Sequence, residues 1–244
     1  MKRLIQNMLK SVNIKIIRYS DMALIYKDVT RRLKIVNNCN INVLFDIGAA
    51  DGGYVKNMRK FGYTKKIISF EPLKSSFEGL KKAASKDNNW LYNNYALGNE
   101  NTKSVINIAG NFDSSSILNM LPMHINSAPE SKFVAQQEIE IKKFDSIIDS
   151  FCKKEDRIMI KIDTQGYEKN VLEGASESLD RVSIIQIEMS IVPLYENGLL
   201  IFDMVKYLSD KGFMLFSLEN GFANRETGQL LQVDGIFVKK TLLN

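Results

Sequence analysis

Two cysteines, one histidine, one tryptophan and four prolines are all that the 244 residues contain of these types. Cys39 and Cys152 lie far apart in unrelated contexts. That excludes a disulfide framework and any cysteine-based metal cluster. Such cysteine usage suits a reducing compartment, and a cytoplasmic location is expected. No apolar run approaches the ~18 residues of a membrane span. The basic start has its apolar residues broken by Gln, Asn and Lys, so no signal-peptide core forms. No repeat, Pro-rich stretch or low-complexity linker divides the chain. Neither sign of charge dominates: 33 Lys and Arg face 28 Asp and Glu, a net +5. That balance does not call for a polyanion, and no nucleic-acid partner is expected. What is present is ordinary globular material, 45% apolar and 25% charged.

Residues 1–38 read as an N-terminal helical appendage and 39–244 as one domain. Met1, Leu4, Ile5, Met8, Leu9 and Val12 fall on one face of a helix, with Lys2, Arg3, Gln6 and Lys10 opposite. Three settings stay open for it: its own domain, a second copy in a homo-oligomer, or the surface of an anionic membrane. From residue 42 short apolar runs alternate with helical stretches. Strands are expected at 42–47, 66–70, 91–97, 104–109, 157–162, 182–189, 213–218 and 232–238. Helices are expected at 53–61, 75–85, 167–175 and 200–211, and an irregular stretch at 110–131. Near-continuous apolar strands alternating with helices predict an α/β fold with a mostly parallel sheet covered on both faces. Ligands on such sheets sit at the carboxyl ends of the strands.

The first strand ends in Asp46-Ile47-Gly48-Ala49-Ala50-Asp51-Gly52-Gly53-Tyr54. Small residues here let the backbone turn sharply and approach a ligand. This is not the dinucleotide G-x-G-x-x-G, because Ala50 stands where the second Gly belongs. Asp46 would repel a pyrophosphate and attract an amino group. The second strand ends in Glu71-Pro72, with Glu71 23 residues after Gly48. That is the spacing at which an acid takes a ribose diol in doubly wound folds. The two motifs describe a nucleoside that carries an amino acid and no phosphates; S-adenosylmethionine (SAM) fits. A later strand runs into Lys161-Ile162-Asp163-Thr164-Gln165-Gly166-Tyr167-Glu168, and the next ends at Glu188. Alternation puts Lys161 and Asp163 on one face of the sheet. Asp163 and Glu188 are expected to share a crevice, where they would bind Mg²⁺ or where one would act as a base. Read structurally, Lys161 simply pairs with a carboxylate at the sheet edge.

On these residues the sequence resembles the FkbM family of SAM-dependent methyltransferases, over roughly residues 43–239. DIGAADGGY from Asp46 to Tyr54, FEP from Phe70 to Pro72 and KIDTQGYE from Lys161 to Glu168, followed by VLEGA, carry the resemblance. It implies a Rossmann-like class I methyltransferase fold, with a seven-stranded sheet whose last strand is antiparallel. It implies methyl transfer to a hydroxyl oxygen. The implied acceptor is a carbohydrate, a sugar of a surface polysaccharide, glycolipid or nucleotide-sugar precursor. A polyketide or lipid hydroxyl and a SAM-binding subunit without catalysis are the alternatives. By analogy Asp46, Gly48, Ala49 and Gly52, with Tyr54, would shape the methionine end of the site. Glu71, with Pro72, would take the ribose, and Tyr95 and Ala96 the adenine side. Asp51 departs from the pattern and is held out of the site.

A sugar hydroxyl keeps its proton at neutral pH, so the acceptor needs a base or a metal. Asp163 is the first candidate, with Glu188 and Glu168 as companions. His124 is a lesser candidate, since a lone loop histidine is usually solvated. Tyr195 is either a stacking platform for an acceptor ring or core packing. Residues 111–116 offer hydroxyls and amides to a sugar.

Overall fold

The computed structural model describes residues 27–243. The amphipathic helix expected at the N-terminus lies outside them. The first described element is helix α1, Lys27–Asn38. Strand β1, Val43–Ile47, is buried throughout. Helix α2 (Gly53–Lys60), strand β2 (Lys66–Phe70), helix α3 (Lys74–Ala84) and strand β3 (Trp90–Asn93) follow. After an inserted segment come β7 (Ile158–Ile162), helix α6 (Glu168–Glu173) and β8 (Val182–Ser190). Helix α7 (Ile201–Asp210) and strands β9 (Phe213–Asn220) and β10 (Gln232–Lys239) complete the fold.

The strands form a seven-stranded sheet in the order β3-β2-β1-β7-β8-β10-β9. Every pair from β3 to β8 is parallel, and β10 runs antiparallel to both β8 and β9. The chain reverses direction across the sheet between β1 and β7, which are hydrogen-bonded neighbours. That is the switch point at which open α/β sheets bind ligands. Alternation of side chains along each strand builds two cores. Phe45, Ile160, Ile185 and Phe237 meet Phe144, Val171 and Met204 on one face. Leu44, Met159, Ile184 and Ile236 meet Leu33, Val55 and Leu80 on the other. Helix α1 shares this second core, and its buried Arg32 pairs with Glu219 of β9.

The inserted segment departs from expectation. The strand expected at 91–97 is two strands. Residues Trp90–Asn93 pair with β2, whereas β4, Ala96–Leu97, joins a second sheet in the order β4-β6-β5. Strands β5 (Thr102–Ala109) and β6 (Phe133–Lys142) form its antiparallel ribbon. Between them the stretch at 110–131 holds helix α4, Pro122–Ser127. Neither β6 nor helix α5 (Phe144–Phe151) was expected. Strand β6 reads FVAQQEIEIK and buries only Ile139 and Ile141 at its end. Its polar face gives almost no hydrophobic period, and pairing with β5 decides its structure. Among the described residues no helix is long and apolar enough to cross a membrane.

Candidate functional site

Gly48 ends β1 at φ 76°, and a Cβ there would lie 1.8 Å from the Asp163 carbonyl oxygen. Only glycine lets the turns after β1 and β7 touch. The N–H groups of Gly48 and Ala49 both donate to the Phe70 carbonyl, joining this turn to the end of β2. Glu71 completes the junction. Its Oε2 accepts from the Ala50 N–H and its Oε1 from the Leu73 N–H, both at 2.8 Å. Burial outweighs these two bonds and pushes the Glu71 carboxyl up to about 7.

Beneath the turn lies a buried polar chain. Trp90 Nε1 donates to Ser69 Oγ, which donates to Asp46 Oδ2. Lys161 Nζ donates to the Gly48 carbonyl at 3.0 Å and faces Asp46 Oδ1 at 3.4 Å and Asp163 Oδ2 at 3.3 Å. Burial pulls the Lys161 ammonium toward neutrality, but Asp163, Asp46 and Asp234 outweigh it and keep the ammonium charged. Lys161 therefore pins both strand ends through one cation.

Above the turn opens a cavity of about 370 Å³. One wall is apolar, with Phe70, Leu73, Ala96, Leu97, Ile106 and Ile117. Among the described residues Glu71, Asp113, Asp163 and Glu188 supply its ionisable groups, and no Lys, Arg or His lines it. Burial, reinforced by Asp163, Glu168 and Asp234, holds the Glu188 carboxyl well above the usual carboxylate range. Burial and the charge of Asp163 likewise raise Asp113. Five non-glycine residues among those described have left-handed backbone, and three of them, Ala50, Phe112 and Gln165, line this cavity. Sparsely populated backbone conformations of this kind collect at functional sites.

Gln165 links the acids. Its Nε2 donates to Asp163 Oδ1 at 2.9 Å and to Glu188 Oε2 at 2.8 Å. Its Oε1 accepts from the Tyr195 hydroxyl at 2.8 Å. Tyr195 is buried in this contact, so it packs and hydrogen-bonds rather than stacking on an acceptor ring.

The structure brings together six of the expected residues at the cavity: Gly48, Glu71, Pro72, Ala96, Asp163 and Glu188. The others stand apart, each for a physical reason. Asp46 lies under the turn, fully enclosed, and Ala49 is a buried part of the turn itself. Gly52 opens α2 at φ 84°, where a Cβ would strike the Trp90 ring. Tyr54 points into the core between Arg32 and Lys161 and donates to Gln186 Oε1. Tyr95 packs on Phe70 and Lys142. Glu168, expected as an acid–base companion, instead shapes the turn before α6. Its Oε1 accepts from the Thr164 and Gly166 N–H groups and from Thr164 Oγ1. His124, expected as a solvated loop residue or a base, is neither placed in the cavity nor exposed. It is buried against Tyr195 and Phe222, with Nε2 3.3 Å from Ser114 Oγ, and burial pushes it down to about 4. The expected Mg²⁺ pair, Asp163 and Glu188, has one oxygen of each carboxylate taken up by an amide donor. The Gln165 amide directs N–H groups at both carboxylates, and an N–H offers a cation no lone pair. Among the described residues no group of three His, Cys, Asp or Glu is arranged to hold a metal ion. Asp51 is exposed and paired with Lys56.

Phe112, Asp113 and Ser115 of the stretch offered to a sugar line the cavity, whereas sequence reading missed Gln165 and the apolar pair Ile106 and Ile117. For Gln165 a signal exists, since it lies between two candidate acids in one strand-end motif. Ile106 and Ile117 reach the cavity only through the second sheet and its loop.

A family model of the methyltransferase FkbM domain matches residues 46–215. No curated protein matches the sequence. Among solved structures the fold is similar to TehB from Haemophilus influenzae, with a TM-score of 0.48 and 11% identity over 96% of this chain and 66% of that one. It is similar to fibrillarin from Aeropyrum pernix, solved with natively bound SAM, with a TM-score of 0.45 and 10% identity over 81% of this chain and 66% of that one. Precorrin-6y C5,15-methyltransferase from Geobacter metallireducens matches with a TM-score of 0.42 and 14% identity over 81% and 79% of the two chains.

Proposed function

The chain belongs to the methyltransferase FkbM family, whose chemistry is SAM-dependent methylation, and we propose that it methylates a hydroxyl oxygen of a sugar in a surface polysaccharide, a glycolipid or a nucleotide-sugar precursor. The observation that supports this reading is the cavity at the switch point. Among the described residues it is lined by four acidic side chains and no cationic one. Such a site favours a cationic ligand, and SAM carries a sulfonium and an ammonium. Its volume lies within the range of small-molecule sites. Glu71 would hold the ribose hydroxyls, and Phe70, Leu73, Ala96 and Leu97 would enclose the adenine.

When bound, SAM supplies a methyl group on a positively charged sulfur. The protein's part is to orient the acceptor hydroxyl in line with the methyl–sulfur bond and to take its proton. SAM would supply the methyl group for the new C–O bond, and the Asp163–Glu188 pair would take the hydroxyl proton. Phe112, Asp113 and Ser115 line the same cavity and offer a sugar one aromatic face and two polar groups. The same acids would repel a phosphodiester backbone and equally the diphosphate of a nucleotide sugar, which supports an uncharged carbohydrate end as the acceptor over a nucleic acid.

The test is transfer of labelled methyl from SAM to oligosaccharides and nucleotide sugars. The parent should label a hydroxyl, and EDTA should leave the rate unchanged. Glu188→Gln should lower turnover roughly 10²–10⁴-fold, the usual weight of a general base. Full turnover in that variant would remove the pair from proton transfer. A rate abolished by EDTA and restored by Mg²⁺ would return the metal to the site.

A further inference from the structure

Gln165 meets each of its neighbours with a defined atom. Its backbone lies in the left-handed region at φ 54°, and its carbonyl accepts from Ser116 Oγ at 2.7 Å. At Gly166 beside it, a Cβ would lie 2.7 Å from Tyr195 Cβ, so the turn is held close against Tyr195. An amide nitrogen has two hydrogens. One goes to Asp163 Oδ1 and the other to Glu188 Oε2. A flipped amide would set its oxygen against both carboxylates and lose the Tyr195 hydroxyl, so the orientation is fixed by chemistry.

The consequence is a rule about protons. An oxygen that accepts an N–H at these distances presents a lone pair there. Glu188 Oε2 accepts a second N–H from Gln232 Nε2 at 2.7 Å. Asp163 Oδ2 faces the Lys161 ammonium. Glu188 Oε1 alone of the four oxygens makes no hydrogen bond or ion pair within the described residues, and Glu188 lines the cavity. We propose that Gln165 is a positioning residue for methyl transfer, whose amide occupies Asp163 Oδ1 and Glu188 Oε2 and thereby leaves Glu188 Oε1 as the atom that receives the acceptor's proton. The inference rests on the O-methyltransferase reading for its role, though not for the amide bridge itself. The step balances: the acceptor oxygen gains the methyl carbon, sulfur keeps the electron pair of the broken C–S bond, and Glu188 Oε1 gains the proton. The charged groups acting on Glu188 are Asp163, Glu168 and Asp234, which raise its proton affinity, and Lys161, which lowers it. The two amide donors of Gln165 and Gln232 oppose the acids by stabilising the anion.

Two substitutions test the proposal. Gln165→Met keeps the length and removes both donors; Gln165→Glu adds a third carboxylate. Each should move the acidic limb of the kcat–pH profile upward by about one to two pH units. At neutral pH each should lower kcat roughly 10- to 100-fold, while the Kd for SAM stays within about threefold, a split typical of supporting residues. A readout free of acceptor and cofactor is the infrared stretch of a protonated carboxyl, assigned by its loss in Glu188→Gln. In Gln165→Met this band should persist to higher pH than in the parent. If Gln165→Met fails to fold, Tyr195→Phe, which frees the amide to turn, should move the band the same way by a smaller step. A band and an acidic limb unmoved by these variants would overturn the proposal. If the parent neither binds SAM nor transfers methyl, yet the band shifts in Gln165→Met, the methyltransferase reading is lost and the bridge is kept.

Discussion

Lys161 shows how much a single side chain decides here. It is buried in a strand of apolar neighbours, and it stays charged because Asp46, Asp163 and the Gly48 carbonyl converge on it. Breaking such a buried network leaves uncompensated charge, which usually costs several kcal/mol. The acids at the strand ends were legible in the sequence, because charge at the end of an apolar run stands out. Their division of labour was not. Asp46 and Asp163 look alike in the sequence, yet one lies beneath the Gly48 turn and the other lines the cavity. His124 was misread for a related reason. Its burial comes from Tyr195 and Phe222, which are remote in the chain. It lies outside the cavity, and burial favours its neutral form. His124→Gln should therefore keep kcat within a few-fold of the parent in the methyl-transfer assay. A loss beyond a hundredfold with intact folding would place it in the chemistry.

At the scale of elements, the parallel strands β1, β2, β7 and β8 were readable because each is buried on both faces, and 66–70 was placed to the residue. Strand β6 and helix α5 escaped because their positions depend on the second sheet rather than on local period. The turn between β7 and α6 is held by Glu168, whose carboxyl burial pushes up to about 7 from an ordinary 4.5. The folded state thus holds this proton more tightly than the unfolded chain. The stability it adds is complete below pH 4.5 and is lost as pH rises through 7. Glu168→Gln keeps an oxygen acceptor and does not ionise. Between pH 4.5 and 7.5 the parent should lose stability relative to this variant, by on the order of 3 kcal/mol. Thermal melts across that window check it. Parallel curves would mean that Glu168 titrates as an ordinary carboxylate.

At the scale of the whole molecule, the mild net charge of +5 conceals a separation. Among the described residues four acidic side chains face one cavity, while Lys161, which pairs with Asp163 of that set, is sealed beneath it. The seven-stranded sheet supplies the switch point, and the second sheet with the loop from β5 supplies the far wall through Ile106, Phe112 and Ile117. Composition could not show this separation, since it counts charges without placing them. The central claim is that this acidic cavity is the SAM site, and calorimetric titration tests it directly. The parent should bind SAM at one site, and S-adenosylhomocysteine more weakly at low salt because it lacks the sulfonium charge. Glu71→Ala should weaken SAM about tenfold or more, a loss of at least about 1.4 kcal/mol. No binding of either ligand by the parent, or unchanged SAM affinity in Glu71→Ala, would contradict the account.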